Sequence, residues 1–193
     1  MLKRLVVCLF TLGSLLLAHS ARAAIMFAFS SGGIVFPTDP VNCPDPFAGC
    51  SLTAVGNSTA VAGNINPLPG PWNFTATFAI VQPLSPTTFR TTGTFAFDDP
   101  SPANNDFSGL LDGVLDATTF SNAMTYSVTS GAGLFAAGRG VGSSVIQIFP
   151  QGEGEPFGFI ERGQFAIPEP GMLALLGLGL AGLAATRKRK RKQ

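Results

Sequence analysis

The stretch NFTATFAIV, residues 73–81, alternates strictly. Phe74, Ala76, Phe78 and Ile80 share one parity, and Asn73, Thr75, Thr77 and Ala79 the other. A period of two places alternate side chains on opposite faces of an extended strand, so one face is apolar and the other polar. The same pattern recurs on both sides. In FRTTGTFAF the inward set is Phe89, Gly93, Phe95 and Phe97; in AMTYSVTS, Met124, Tyr126 and Val128 alternate with Thr125, Ser127 and Thr129. AIMFAFS, SVIQIF and GQFAI are further short runs, separated by Pro and Gly clusters that break strands. Residues 106–119 fit either a short helix or, through GLLDGVLDATTF, a strand and a turn. These features predict an all-β domain over residues 24–166, a single antiparallel sandwich or a small barrel.

The ends of the chain differ from this middle. MLKRLVVCLFTLGSLLLAHSARA, residues 1–23, has a basic start, an apolar centre and the small-x-small triplet Ala21-Arg22-Ala23. Those are the parts of a secretory signal peptide, a helix removed by cleavage after Ala23. Residues 167–193 mirror it. Met172 to Ala185 consists only of Met, Leu, Ala and Gly, with no polar face in helical projection. A helix over residues 171–186 spans about 24 Å, short of the roughly 30 Å hydrocarbon layer, and snorkelling side chains at its end close the gap. Arg187, Lys188, Arg189, Lys190, Arg191 and Lys192 then form a basic cluster suited to a cytoplasmic stop. Pro168, Glu169 and Pro170 precede the apolar run, and two prolines disfavour helix and ladder pairing alike.

Ile167-Pro168-Glu169-Pro170, the Leu/Gly/Ala-rich run and the terminal basic cluster, in that order, resemble a PEP-CTERM sorting signal. The resemblance implies a Gram-negative, exopolysaccharide-producing host and a membrane-anchored precursor exported through the inner membrane. It implies exosortase, a membrane-embedded transpeptidase-like enzyme, as a partner, with transient residence of the tail in the membrane and a final location at the cell surface or outside. A second, briefer likeness lies in TSGAGLFAAGRGVGS, residues 129–143, which is similar to a Gly-rich stretch of dirigent-like and allene-oxide-cyclase-like β-barrels. It implies a barrel and no particular activity.

The charge distribution narrows the function. Residues 24–166 hold three arginines against ten acids, a net −7, with no Lys and no His. An acidic body repels phosphate backbones, so no nucleic acid is expected as a partner. The single histidine, His19, leaves with the signal peptide, and a Ser or Cys nucleophile is then without its usual base. We therefore expect no enzyme and no cofactor, and the expected role is a structural or adhesive one linked to exopolysaccharide. A carbohydrate-binding module with aromatics around Trp72 is one alternative. A glycoside hydrolase using Asp112 with Asp116, or Glu153 with Glu155, is another.

Cys43 and Cys50 bracket a Pro- and Gly-containing loop and, in an oxidising compartment, are expected to form a disulfide worth about 2 kcal/mol. No His or further Cys completes a zinc site there. Asp98, Asp99, Asn104, Asn105 and Asp106 offer oxygen donors that suit calcium, but beside Pro and Gly they are ordinary turn residues, and no metal is expected.

Overall fold

The computed structural model describes residues 24–38, 51–152 and 155–168. The expected terminal helices, the basic cluster and the Cys43–Cys50 pair lie outside the described residues. One compact unit runs from Ile25 to Ile167.

Eight strands form it: β1 (Ala24–Pro37), β2 (Ser51–Gly63), β3 (Trp72–Pro83), β4 (Thr88–Asp98), β5 (Phe107–Asp116), β6 (Ser121–Gly131), β7 (Gly140–Phe149) and β8 (Phe157–Pro168). Each is antiparallel to the next, and the sheet closes on itself as a barrel in sequence order. The sandwich alternative is thereby removed. The segment open to a helical reading, residues 106–119, forms β5 and a turn held by Asp116, whose carboxylate accepts from the Thr118 amide at 2.8 Å.

Alternation decides which side chains enter. Trp72, Phe74, Ala76, Phe78 and Ile80 point inward from β3, and Asn73, Thr75 and Thr77 outward. With eight strands the interior is just wide enough to be filled by side chains. Here it is filled mostly by aromatic rings: Phe97 stacks on Phe107 at 4.6 Å between centroids, and Phe165 meets Phe27, Phe29, Phe95, Phe97, Phe107 and Tyr126. The lumen is apolar, and the outer wall carries Thr and Ser together with exposed aliphatic side chains such as Met26, Leu110 and Val141.

Curling a sheet this tightly needs irregular positions. Register shifts occur at Ala28/Phe29, Ile80/Gln82 and Ser108/Gly109. Gly93 faces inward opposite Phe78, and a Cβ there would fall 1.9 Å from the Thr77 carbonyl oxygen. Only glycine permits that approach.

The up-and-down order puts the start of β1 and the end of β8 at one end of the barrel, with the β2–β3, β4–β5 and β6–β7 loops. Trp72, Phe27, Phe107 and Phe135 close this end. Phe135 belongs to a one-turn 3-10 helix, Gly133–Phe135, within the Gly-rich stretch. Gly133 and Gly138 there adopt φ of 56° and 57°, the left-handed region that favours glycine.

Candidate functional site

The parity of β8 carries an acid into the core. Phe159, Glu161, Phe165 and Ile167 all point inward, and the Glu161 side chain is 0 % exposed. Ser144 Oγ on β7 donates to the Tyr126 hydroxyl on β6 at 3.0 Å, and that hydroxyl donates to Glu161 Oε1. Ser31 Oγ on β1 donates to Ser58 Oγ on β2 at 2.9 Å. Glu161 Oε2 has no hydrogen-bond partner among the described residues.

Burial pushes the Glu161 carboxyl above its ordinary range, because the charged form loses its hydration; contacts with Ser144, Tyr126 and Ser31 offset this in part. Burial likewise raises the Tyr126 phenol well above its ordinary value, and the neighbouring acid adds to the effect. The arrangement is a sealed relay of hydroxyls ending on an acid disposed to stay protonated. A protonated carboxyl supplies a donor from Oε2, where an ionised one would leave an uncompensated charge in a lumen of phenyl rings. Tyr126 and Ser144 are buried as well, so none of the three is presented to an external substrate in this conformation. Sequence reasoning counted Glu161 among the ten acids of residues 24–166 and gave it no role. The parity it shares with Phe159, Phe165 and Ile167 was the available signal.

The other candidates are dispersed. Asp112 points outward and pairs with Arg90, Nη2 to Oδ2 at 2.6 Å. Asp116 is occupied by Thr118, which donates from its amide and its hydroxyl. These two carboxylates thus lie along the outer side of one strand with local partners, rather than across a groove. Glu153 lies outside the described residues. Asp99, Asn104, Asn105 and Asp106 share the β4–β5 loop, as the sequence suggested, and act as turn residues, whereas Asp98 is the last residue of β4, in register with Asn73. Asp99 accepts from the Ser101 and Asn105 amides at 2.8 and 3.0 Å, and Asp106 Oδ1 accepts from the Asp99 amide at 2.6 Å. Burial acts to raise the Asp99 pKa, but the hydrogen bonds from Ser101 and Asn105 outweigh it and hold the carboxyl below its ordinary value.

Trp72 is not the centre of an exposed aromatic row. It is 1 % exposed, packed against Phe27, Phe97 and Phe107, and its Nε1 donates to the Asn105 carbonyl at 2.9 Å. The alternation of β3 and the plug made by Phe135 account for this burial. Two furrows, of about 430 and about 560 Å³, both touch β1, β7 and β8; the first reaches β2, and the second reaches β6, with Ser144 and Arg162 in its lining.

At the chain's far end, β8 runs to Pro168, two residues past Ala166, the last residue paired with β7. From here the residues match a known family model. Positions 166–190 fit the PEP-CTERM protein-sorting motif. No curated protein matches the chain by sequence. The motif implies an exported protein, destined for the cell surface and processed by exosortase. The protein is thus the bearer of a C-terminal PEP-CTERM motif whose first residues belong to the last strand of a closed eight-stranded barrel.

Proposed function

We propose that the barrel is a structural or adhesive unit, associated with extracellular polysaccharide and not enzymatic, delivered by the tail to the surface or the surrounding matrix. The observation that carries this reading is the filled lumen. Aromatic side chains occupy the space in which a barrel of this size holds a small ligand, and Glu161 is buried among them. Interaction is left to the outer wall and the end loops. A closed barrel with a filled core suits a matrix component that must persist outside the cell. The carboxylate-dependent hydrolase gains no support, since Asp112 and Asp116 are engaged locally.

Fractionation tests the proposal. In the source bacterium the barrel is expected in the envelope and matrix fractions with its tail removed, and deletion of residues 169–193, which leaves β8 whole, is expected to divert it to the medium. Co-sedimentation with the bacterium's own polysaccharide is expected to retain the barrel. Equal recovery with and without the polysaccharide would remove the matrix role, and full-length tail on the surface-recovered protein would remove processing.

A carbohydrate-binding module is the second reading. It is favoured by Phe36, Phe120 and Phe149, each 37 % exposed, at the end of the barrel opposite the start of β1. Exposed ring faces of this kind stack on the apolar faces of sugars. Saturable binding of one purified glycan, lost on substituting these three by Ala, would separate this reading from general adhesion.

A further inference from the structure

The sorting motif and the fold overlap in sequence. The match begins at residue 166, yet β8 continues to Pro168. Ile167, immediately before the Pro-Glu-Pro corner, is 0 % exposed and belongs to the core cluster. It lies so close to β7 that a Cβ on Gly140 would come within 2.9 Å of Ile167 Cγ1. Two residues earlier, Phe165 touches six other rings, and Ala166 is in register with Val141. Residues that the sorting motif includes are therefore also core and ladder residues of the barrel.

We propose that the folded barrel sets the near limit of tail processing, so that the bond cut lies on the C-terminal side of Pro168 and β8 is kept whole. The inference rests on the reading that the tail is processed. A peptide-cleaving enzyme grips several residues in extended form on each side of the scissile bond, and each residue spans roughly 3.3–3.6 Å. A bond just beyond Pro168 is thus only one residue of chain from the last core residue. An enzyme seeking a bond before Ile167 would have to draw Ile167 and Phe165 out of the lumen and open the closing strand. Such opening belongs to the rare, sub-global fluctuations of a barrel, not to fraying of an end. In the reaction a backbone C–N bond beyond Pro168 breaks. The acyl carbon passes to water or to an amine acceptor of the envelope, and the departing amine takes up the proton.

Two measurements test it. The full chain in detergent micelles is digested with a protease of broad specificity, and the surviving fragment is weighed by intact-mass spectrometry. The expected fragment ends at or beyond Pro168 and persists; a persistent fragment ending at or before Ile167 overturns the proposal. In the source bacterium, a six-residue Gly-Ser insertion between Ile167 and Pro168 moves the motif as much as about 20 Å from the rim. Processing in a pulse-chase is expected to quicken at least twofold, with the cut following the motif and the insertion retained in the product. An unchanged rate overturns the role of the rim. Loss of the tail with a product ending inside β8 overturns the limit alone, whereas a tail that is never removed overturns processing itself, with the micelle digest still deciding the limit.

Discussion

Glu161 makes the stability of this barrel depend on pH in a direction opposite to that of most carboxylates. In the unfolded chain the group titrates near its ordinary 4.5, and in the folded barrel burial holds its proton to higher pH. Between those two points the unfolded state binds fewer protons than the folded one, so stability falls as pH rises. The contribution is complete below the unfolded pKa and lost as pH passes through the folded one. For one proton the slope reaches about 1.4 kcal/mol per pH unit. At roughly 3 °C per kcal/mol for a domain of this size, Tm drops by about 4 °C per pH unit within the window. Glu161→Gln keeps an acceptor for the Tyr126 hydroxyl and removes the titration. Differential scanning calorimetry of both proteins at half-unit steps from pH 4 to 9 is the assay. The difference in Tm between variant and wild type isolates this group from Asp99 and Asp116, whose lowered pKa values act at the acid end, their stabilisation being lost as pH falls. Wild type is expected to lose stability relative to E161Q steadily above pH 4.5. A difference that stays flat across the range would refute the reasoning, showing that Glu161 ionises in place at no cost.

Three further outcomes follow from the geometry. Gly93→Ala drives a methyl group into the Thr77 carbonyl and is expected to destabilise the barrel by about 2 kcal/mol or more, measured by urea unfolding. Trp72 is the sole tryptophan and is buried, so its fluorescence is expected to be blue-shifted and unchanged by added polysaccharide; Trp72→Ala is expected to cost about 3–5 kcal/mol by the same urea assay, well beyond the loss of its bond to Asn105. Millimolar calcium is expected to leave Tm unmoved, because Asp99 and Asp106 already hold backbone amides; a rise that Asp99→Asn abolishes would show instead that the loop binds the ion.

How much of this was legible in the sequence varies from element to element. NFTATFAIV and its neighbours announce their strands and the inward face of each, because the side-chain period of an extended chain is a property of the backbone alone. The sorting tail is legible for a similar reason. Its Pro-Glu-Pro corner, apolar run and basic cluster act through local covalent and solvation properties that need no fold. Glu161 was legible in part, since its parity matches that of Phe159 and Phe165, but a charged residue at an inward position is accepted only once its partners are known. Those partners, Tyr126 and Ser144, come from two other strands.

Strand closure is different in kind. Whether eight alternating strands stack as two sheets or curl into one barrel depends on the accumulated stagger of the ladders, on bulges such as that at Ser108/Gly109 and on close approaches such as that at Gly93. These are relations between residues far apart in the chain. The sequence by itself determined six of the eight strands, their apolar faces and the address carried at the C-terminus; it gave no run for β2, and it left β5 open to a helical reading. Only the tertiary structure decided that the faces meet in a filled lumen, that Trp72 is sealed within it, and that Ile167 belongs at once to the core and to the sorting motif. Periodicity is written locally, whereas register and burial are set by which strands come to lie side by side.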